Sequence, residues 1–342
     1  MIWFDESRLD DEQALATVDL RLRSLAESGA RVRREASATA DAVGEAVARS
    51  GDSRPRAVVA AGPDSRLLRA VLEPFCPVPF VAWPHPGLPG WAGSLDLVVV
   101  LAPDGSDPGA ASAAAEAVRR GCRVVVACPP VSHVADHAVG RDATLLPTTS
   151  GDQLAVAVVM LSLLDRLALG PATDADLVAE ALDHVAIACS PHRDLAVNPA
   201  KMLAIALADA APVVWGGSVL AARAARRLAE TLRRVTGRTA IAGEADQLVP
   251  LLEATRPRDV FDDPFSEEER AAPRPVLVVL DDGNQDPVCV EQRQSLVSVA
   301  DGRGIRVELI SAEASSDVAR YASLLLHGTY AAEYLRLGLV DD

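Results

Sequence analysis

Residues 95–130 read LDLVVVLAPDGSDPGAASAAAEAVRRGCRVVVACPP, and this stretch decides the fold. Segments 95–102 and 122–130 are continuous valine-rich apolar runs, the pattern of strands buried on both faces. Between them, 108–121 is an alanine-rich helical segment that closes on Gly121. Strand, helix, strand at this spacing implies a parallel sheet with helical crossovers. The connecting residues 103–107 have the frame of a phosphate-binding loop, a strand followed by a glycine turn and a helix. Yet they place Asp104 and Asp107 where such a loop wants small hydroxyls.

The same alternation extends outward. Upstream, AVVAAG (57–62) is a short strand ending in Gly-Pro, with a helix after it, and residues 7–50 carry leucines at helical spacing in one or two helices. Downstream, 154–170 is a strongly apolar helix ended by Gly170-Pro171. Beyond it the sequence predicts helices over about 174–187 and at NPAKMLAIALAD (198–209), then strands at 211–217, 239–243, 274–283 and 305–312 with helices between them. A final helix runs through ARYASLLLHGTYAAEYL (319–335). The polar, proline-rich 255–275 reads as a solvated loop. The division expected is an N-terminal helical segment (1–53) and two α/β domains (54–170 and 171–342).

Composition narrows the function classes. The chain has 342 residues, 49% of them hydrophobic and 4% aromatic, enough for two domains with cores of Ala, Val and Leu. A net charge of -15 argues against nucleic acid, whose phosphates it would repel. No apolar run approaches the roughly 20 residues of a membrane span. The start, MIWFDESRLDDEQ, lacks the order of a signal peptide, so a cytoplasmic location is expected. The five cysteines form no C-x-x-C pair and read as small reduced thiols; no metal site and no cofactor are expected. Lys201 is the only lysine.

NPAKMLAIAL (198–207) running into PVVWGGS (212–218), and the C-terminal GTYAAEYLRLGLVD (328–341), resemble segments of the bifunctional phosphoglucose/phosphomannose isomerase family in wording and position. The resemblance covers most of 54–340. It implies two tandem SIS (sugar isomerase) domains, each a flavodoxin-like parallel sheet with helices on both faces. It also implies a homodimer and aldose–ketose isomerisation of a sugar phosphate, which needs a phosphate cradle and a carboxylate base near C1 and C2. Matched residue by residue, those elements are missing. The family loop S-x-S-G-N-T falls on Ala102 to Asp107, and its first glycine-rich turn on Gly62-Pro63-Asp64-Ser65. Its active-site arginine falls on Gln153, its base glutamate on Arg234 and its histidine on Gln247.

No catalytic residue is therefore assigned. The expected protein is a non-catalytic or divergent SIS protein of mannose and glucose phosphate metabolism, regulatory or scaffolding in role. Its partner would be a sugar phosphate, a related small anion or a partner enzyme; the alternative is an active glucose-6-phosphate/mannose-6-phosphate isomerase. The candidate ligand turn is Gly216-Gly217-Ser218, a strand-to-helix junction with exposed N–H groups, followed by Arg223, Arg226 and Arg227. A serine-capped turn beside a solvated arginine face explains it equally. Ser65, Ser106, Lys201 and His327 complete the candidates, with Lys201 read as more often a helix-surface residue. His133 and His137 have the spacing of a helical metal pair but lack a third ligand, and exposed side chains are the simpler reading. Asp281-Asp282-Gly283-Asn284 suits a cation or sugar hydroxyls, or is a polar turn.

Overall fold

The computed structural model describes residues 2–50, 54–256 and 273–341. Most of the expected 255–275 loop lies outside the described residues. The chain forms two compact units: Ser28–Glu180, and Met1–Glu27 together with Ala181–Asp342. These divide the chain elsewhere than at 53 and 170, and the reasons lie in how the first fifty residues pack.

That stretch opens with β1 (Ile2–Phe4), followed by α1 (Glu12–Ala16), α2 (Asp19–Ala26) and α3 (Ser28–Ser50). Asp11 caps α1 through Ala14 N at 2.7 Å. The amphipathic α3 buries Val32, Glu35, Thr39, Val43 and Ala46, a stripe with three- and four-residue steps. Its fully buried Glu35 accepts hydrogen bonds from the backbone N–H of Thr149, at 2.8 Å, and of Ser150. A buried carboxylate needs such donors, and they fix α3 to the first α/β unit rather than leaving it as a separate segment.

The remainder of that unit is β2 (Val58–Ala61), α4 (Ser65–Leu72), β3 (Phe80–Trp83), β4 (Leu97–Leu101), α5 (Pro108–Arg119), β5 (Arg123–Cys128), α6 (His133–His137), β6 (Ala143–Pro147) and α7 (Gln153–Arg166). The sheet is wholly parallel, in the order β3-β2-β4-β5-β6. Every residue of β2 and β4 is buried, as their continuous apolar runs require. In α7, every residue from Ala155 to Leu161, and Leu163 and Leu164 after them, is buried.

The second unit comprises β1, α1 and α2 with α8 (Ala175–Ala188, shared at its start with the first unit), α9 (Pro199–Leu207), β7 (Ala210–Gly216), α10 (Val219–Thr236), β8 (Ile241–Ala242), α11 (Ala245–Glu253), β9 (Arg274–Asp281), α12 (Pro287–Gly302), β10 (Val307–Ser311), α13 (Asp317–Gly338) and β11 (Leu339–Asp341). Its described sheet is parallel, in the order β10-β9-β7-β8, with four strands to the first sheet's five. Sixteen of the 22 residues of α13 are buried, so it is a central helix packed on several sides, against α9 and α10. Gly328 permits that approach: a Cβ there would meet Leu228 Cδ1 of α10 at 2.7 Å.

The N-terminus joins this unit by two devices. β1 pairs antiparallel with β11, Trp3 opposite Val340. Lys201 on α9 is fully buried and donates to Asp10 Oδ1 at 2.5 Å, to the Pro191 carbonyl at 3.0 Å and to the Arg193 carbonyl at 2.9 Å. All three ammonium protons are thereby used, and the charge also lies 5.7 Å from the Tyr334 ring. The helix-surface position expected for Lys201 is corrected: its Nζ clamps three chain segments inside the protein.

Candidate functional site: two crevices at the strand ends

In each sheet the chain starts near the middle, lays its second strand on one side, then crosses to the other. The strand order thus reverses between β2 and β4 in the first unit and between β7 and β9 in the second. Such reversal points leave a crevice outside the carboxyl ends of the strands, where open α/β sheets bind ligands. Each candidate loop lies at one of them.

The first crevice is bordered by Gly62–Ser65 after β2 and 102–107 after β4. Gly62 has φ +88°, a conformation suited to glycine. Gly105 has φ +66°, and a Cβ there would meet Ser132 Cβ at 2.4 Å, so this turn also requires glycine. Asp107 is the N-cap of α5: its Oδ1 accepts from Ala110 N at 2.7 Å. The carboxylate thus occupies the helix start that would hold a phosphate. Asp104 and Ser106 are exposed. Ser65 is buried, and its Oγ has no hydrogen-bond partner among the described residues. Gln153, at the start of α7, donates its side-chain amide to Asp64 Oδ1.

The second crevice is built on Gly216-Gly217-Ser218. A Cβ on Gly216 would fall 2.3 Å from the backbone carbonyl carbon of Ala221, and one on Gly217 2.8 Å from the Trp215 ring. Two glycines are what allow α10 to start directly against the end of β7. Ser218 caps α10, accepting from Ala221 N at 3.0 Å, and donates its hydroxyl proton to Asp282 Oδ2 at the end of β9. Beside it Asp281 pairs with Arg293 at 2.6 Å, and Cys289 Sγ lies 3.2 Å from the Gly217 carbonyl. Burial, then the charges of Asp286 and Asp282, push the Cys289 thiol up. The loop 281–286 is bonded to itself: Gly283 N donates to Asp281 Oδ1 at 2.9 Å and Asp286 N to Asn284 Oδ1 at 2.7 Å. It is the polar turn that was one of the two sequence expectations.

The remaining candidates do not gather here. Arg226 pairs with Glu244 at 2.6 Å and Arg227 with Glu230 at 3.2 Å. Burial pushes the Tyr321 hydroxyl up, and the charges of Arg223 and Arg227 partly offset it. Lys201 is committed to its clamp. His327, on α13, is hydrogen-bonded to the Pro199 backbone; burial lowers its pKa to about 4, partly offset by that bond, so it is neutral at ordinary pH. His133 and His137 are exposed and lie 4.7 Å apart between ring centres. Among the described residues no group of three or more His, Cys, Asp or Glu is placed to hold a metal ion.

The positions carrying the resemblance's catalytic groups serve other ends. Arg234 lies in the last turn of α10, at the opposite end from Ser218, exposed and paired with Glu230 at 3.0 Å. Gln247 completes the capping box of α11 with Glu244. The missed element of the site is Asp282 as the partner of Ser218. An aspartate pair at the end of a predicted strand was the available signal.

Residues 196–338 match the family model for the bacterial phospho-glucose isomerase C-terminal SIS domain. Among solved structures, tagatose-6-phosphate ketose/aldose isomerase from Escherichia coli is 13% identical at a TM-score of 0.61, covering 95% of this chain and 89% of that one. The C-terminal domain of glucosamine-fructose-6-phosphate aminotransferase from Francisella tularensis is 14% identical at 0.61, covering 94% and 97%. A glucose-6-phosphate isomerase like protein from Thermus thermophilus is 17% identical at 0.51, covering 84% and 82%. At these identities the likeness is one of fold. No curated protein sequence matches the chain. No described helix is long and apolar enough to cross a membrane. Residues 196–338 thus match a SIS domain of the bacterial phospho-glucose isomerase type, and the chain as a whole has the fold shared by these solved structures.

Proposed function

We propose that this SIS protein does not isomerise phosphosugars and acts instead as a regulatory or scaffolding protein of glucose and mannose phosphate metabolism. The observation that carries this reading is the carboxylate at each crevice: Asp107 on the start of α5, and Asp282 on the serine that starts α10. A dianionic phosphate a few ångströms from a carboxylate meets repulsion of several kcal/mol even at an effective dielectric near 20. Proton transfer between C1 and C2 further requires a base, and the guanidinium of Arg234 stays protonated at any working pH. Its place at the far end of α10 supports the same conclusion.

A coupled assay with glucose 6-phosphate and mannose 6-phosphate tests this, alongside thermal shift with both ligands. The expected outcome is no turnover above contaminant level. Turnover at ordinary enzyme rates, abolished by Ser218→Ala, would reinstate the isomerase reading. A sugar phosphate that does bind in the second crevice must draw Ser218 away from Asp282, so its stabilisation of the protein should be small.

A further inference from the structure

Both crevices lie at the carboxyl ends of their strands; the first sheet also has a cavity at the opposite, amino ends. Leu97 opens β4 and pairs with Arg123, which opens β5, and Val124 stands beside Ala143, the first residue of β6. Across these strand starts, between the last turn of α3 and the end of α7, lies a cavity of about 350 Å³. Strands of five and six residues put it about 17–20 Å from the first crevice. Its volume is at the small end of the range that holds organic ligands, about 300–1,000 Å³.

The cavity has two kinds of wall. One is aliphatic, formed by Leu97, Val125, Leu163 and Leu167. The other carries Arg49, Arg123 and Arg141, with Thr144 and Asp142 beside them. Among the described lining residues, three guanidinium groups thus stand with one carboxylate, in a chain whose net charge is -15. Helix capping accounts for one of the three: Arg123 donates to the Ser50 carbonyl at 3.3 Å and offsets the negative end of α3. Arg49 donates to the Thr144 hydroxyl at 2.9 Å, a contact that orients it without neutralising it. Among the described residues no carboxylate pairs with Arg49 or Arg141. Elsewhere in this unit Arg31, Arg56 and Arg69 each meet a carboxylate, at 2.7, 2.6 and 2.8 Å. Burial lowers the pKa of Arg123, so an anion that replaces its lost water is favoured there.

We infer that this cavity binds a small organic dianion, a dicarboxylate or a phosphate ester with an apolar carbon body. Its acid groups meet Arg49, Arg123 and Arg141, whose planar forks take carboxylate and phosphate oxygens alike. Its carbon body lies on the aliphatic wall. A sugar phosphate suits the cavity poorly, because its hydroxyls would meet that wall without partners. The site is separate from both crevices, and the inference holds whether or not the protein isomerises phosphosugars.

Calorimetry on the full-length protein with adipate and with phenyl phosphate tests it, beside inorganic phosphate and glucose 6-phosphate. At least one of the first two should bind with a Kd below about 1 mM, more weakly as salt is raised, and the tighter of them identifies the acid group. Inorganic phosphate and glucose 6-phosphate, which bring no apolar body, should bind about tenfold more weakly or worse. Arg49→Gln and Arg141→Gln, at exposed residues, should each weaken the tighter probe about tenfold while keeping the wild-type melting curve. Ser218→Ala, in the second crevice, should leave that binding unchanged. Failure of both adipate and phenyl phosphate to bind at millimolar concentration overturns the inference. So does binding indifferent to both arginine variants, or binding that Ser218→Ala abolishes, which would put the anion in a crevice. Glucose 6-phosphate bound as tightly as the better probe would overturn the ligand class.

Discussion

The two crevices occupy equivalent places in their sheets, yet each sets a carboxylate at its helix start differently. In the first, the aspartate is itself the helix cap: Asp107 holds Ala110 N, and the negative charge belongs to the structure of α5. In the second the cap is Ser218, and the charge comes from a neighbouring strand end, where Asp282 takes the serine's proton donor. One carboxylate is held by a local contact three residues long, the other by a pair between residues 64 apart in sequence. The lesson is that a carboxylate can be set at a helix start while the cap is kept, and that only the second arrangement is undone by removing one non-capping side chain.

The sharpest contrast is steric. Gly216→Ala drives a Cβ into the backbone of Ala221, whereas Gly62→Ala meets Ala110 only at 3.5 Å and is strained by its φ of +88° alone. Gly216→Ala should lower stability by more than about 3 kcal/mol, and Gly62→Ala by about 1–2 kcal/mol, measured by urea unfolding. Equal losses would break the comparison.

Acid sharpens it next. The unit carrying the second crevice holds His327, whose pKa falls from 6.5 unfolded to about 4 folded because burial disfavours its charge. Between these values the unfolded chain binds the proton and the folded one does not. Stability should therefore fall as pH drops from about 6.5 toward 4, by at most about 3 kcal/mol from this group. His327→Gln should flatten that part of the pH–stability curve; an unchanged slope would show the acid response to lie elsewhere.

A smaller effect separates the two closures directly. Asp282→Asn removes a charge from Ser218 while leaving the cap in place, and should raise phosphate affinity roughly tenfold by calorimetry, at a stability cost of about 1–2 kcal/mol. Least of all, Asp107→Ser exchanges one good cap for another and should change stability by under about 0.5 kcal/mol. If phosphate binding appears with Asp107→Ser and not with Asp282→Asn, the first crevice is the one that retains a cradle.

The central strands were legible in the sequence because burial on both faces writes an unbroken apolar run, as in VVV at 98–100 and VLVVL at 276–280. β3 and β6 were not. They are edge strands with mostly half-buried residues, and the proline-bearing ATLLP and the short FVAW carry neither an apolar run nor a clear alternation. The one or two helices expected over 7–50 are three, α1 to α3, with Asp11 capping the first and α3 starting anew at Ser28, local breaks that periodicity alone overlooks. Both candidate turns were read from local glycine and serine chemistry, which is short-range. The Ser218–Asp282 pair and the Lys201–Asp10 contact, 191 residues apart, come from topology and left no local trace.

The burial of Lys201 gives the folded protein an unusual chemical surface. It is the chain's only lysine, fully enclosed, with every proton of its ammonium engaged. No lysine amine is therefore presented to acylating reagents, aldehydes or enzymes that build isopeptide bonds on side chains. A conjugate at Lys201 requires the clamp on Asp10 to open first. The rate at which an amine reagent modifies this one residue would then count openings of the N-terminal segment, a clock built into the covalent structure.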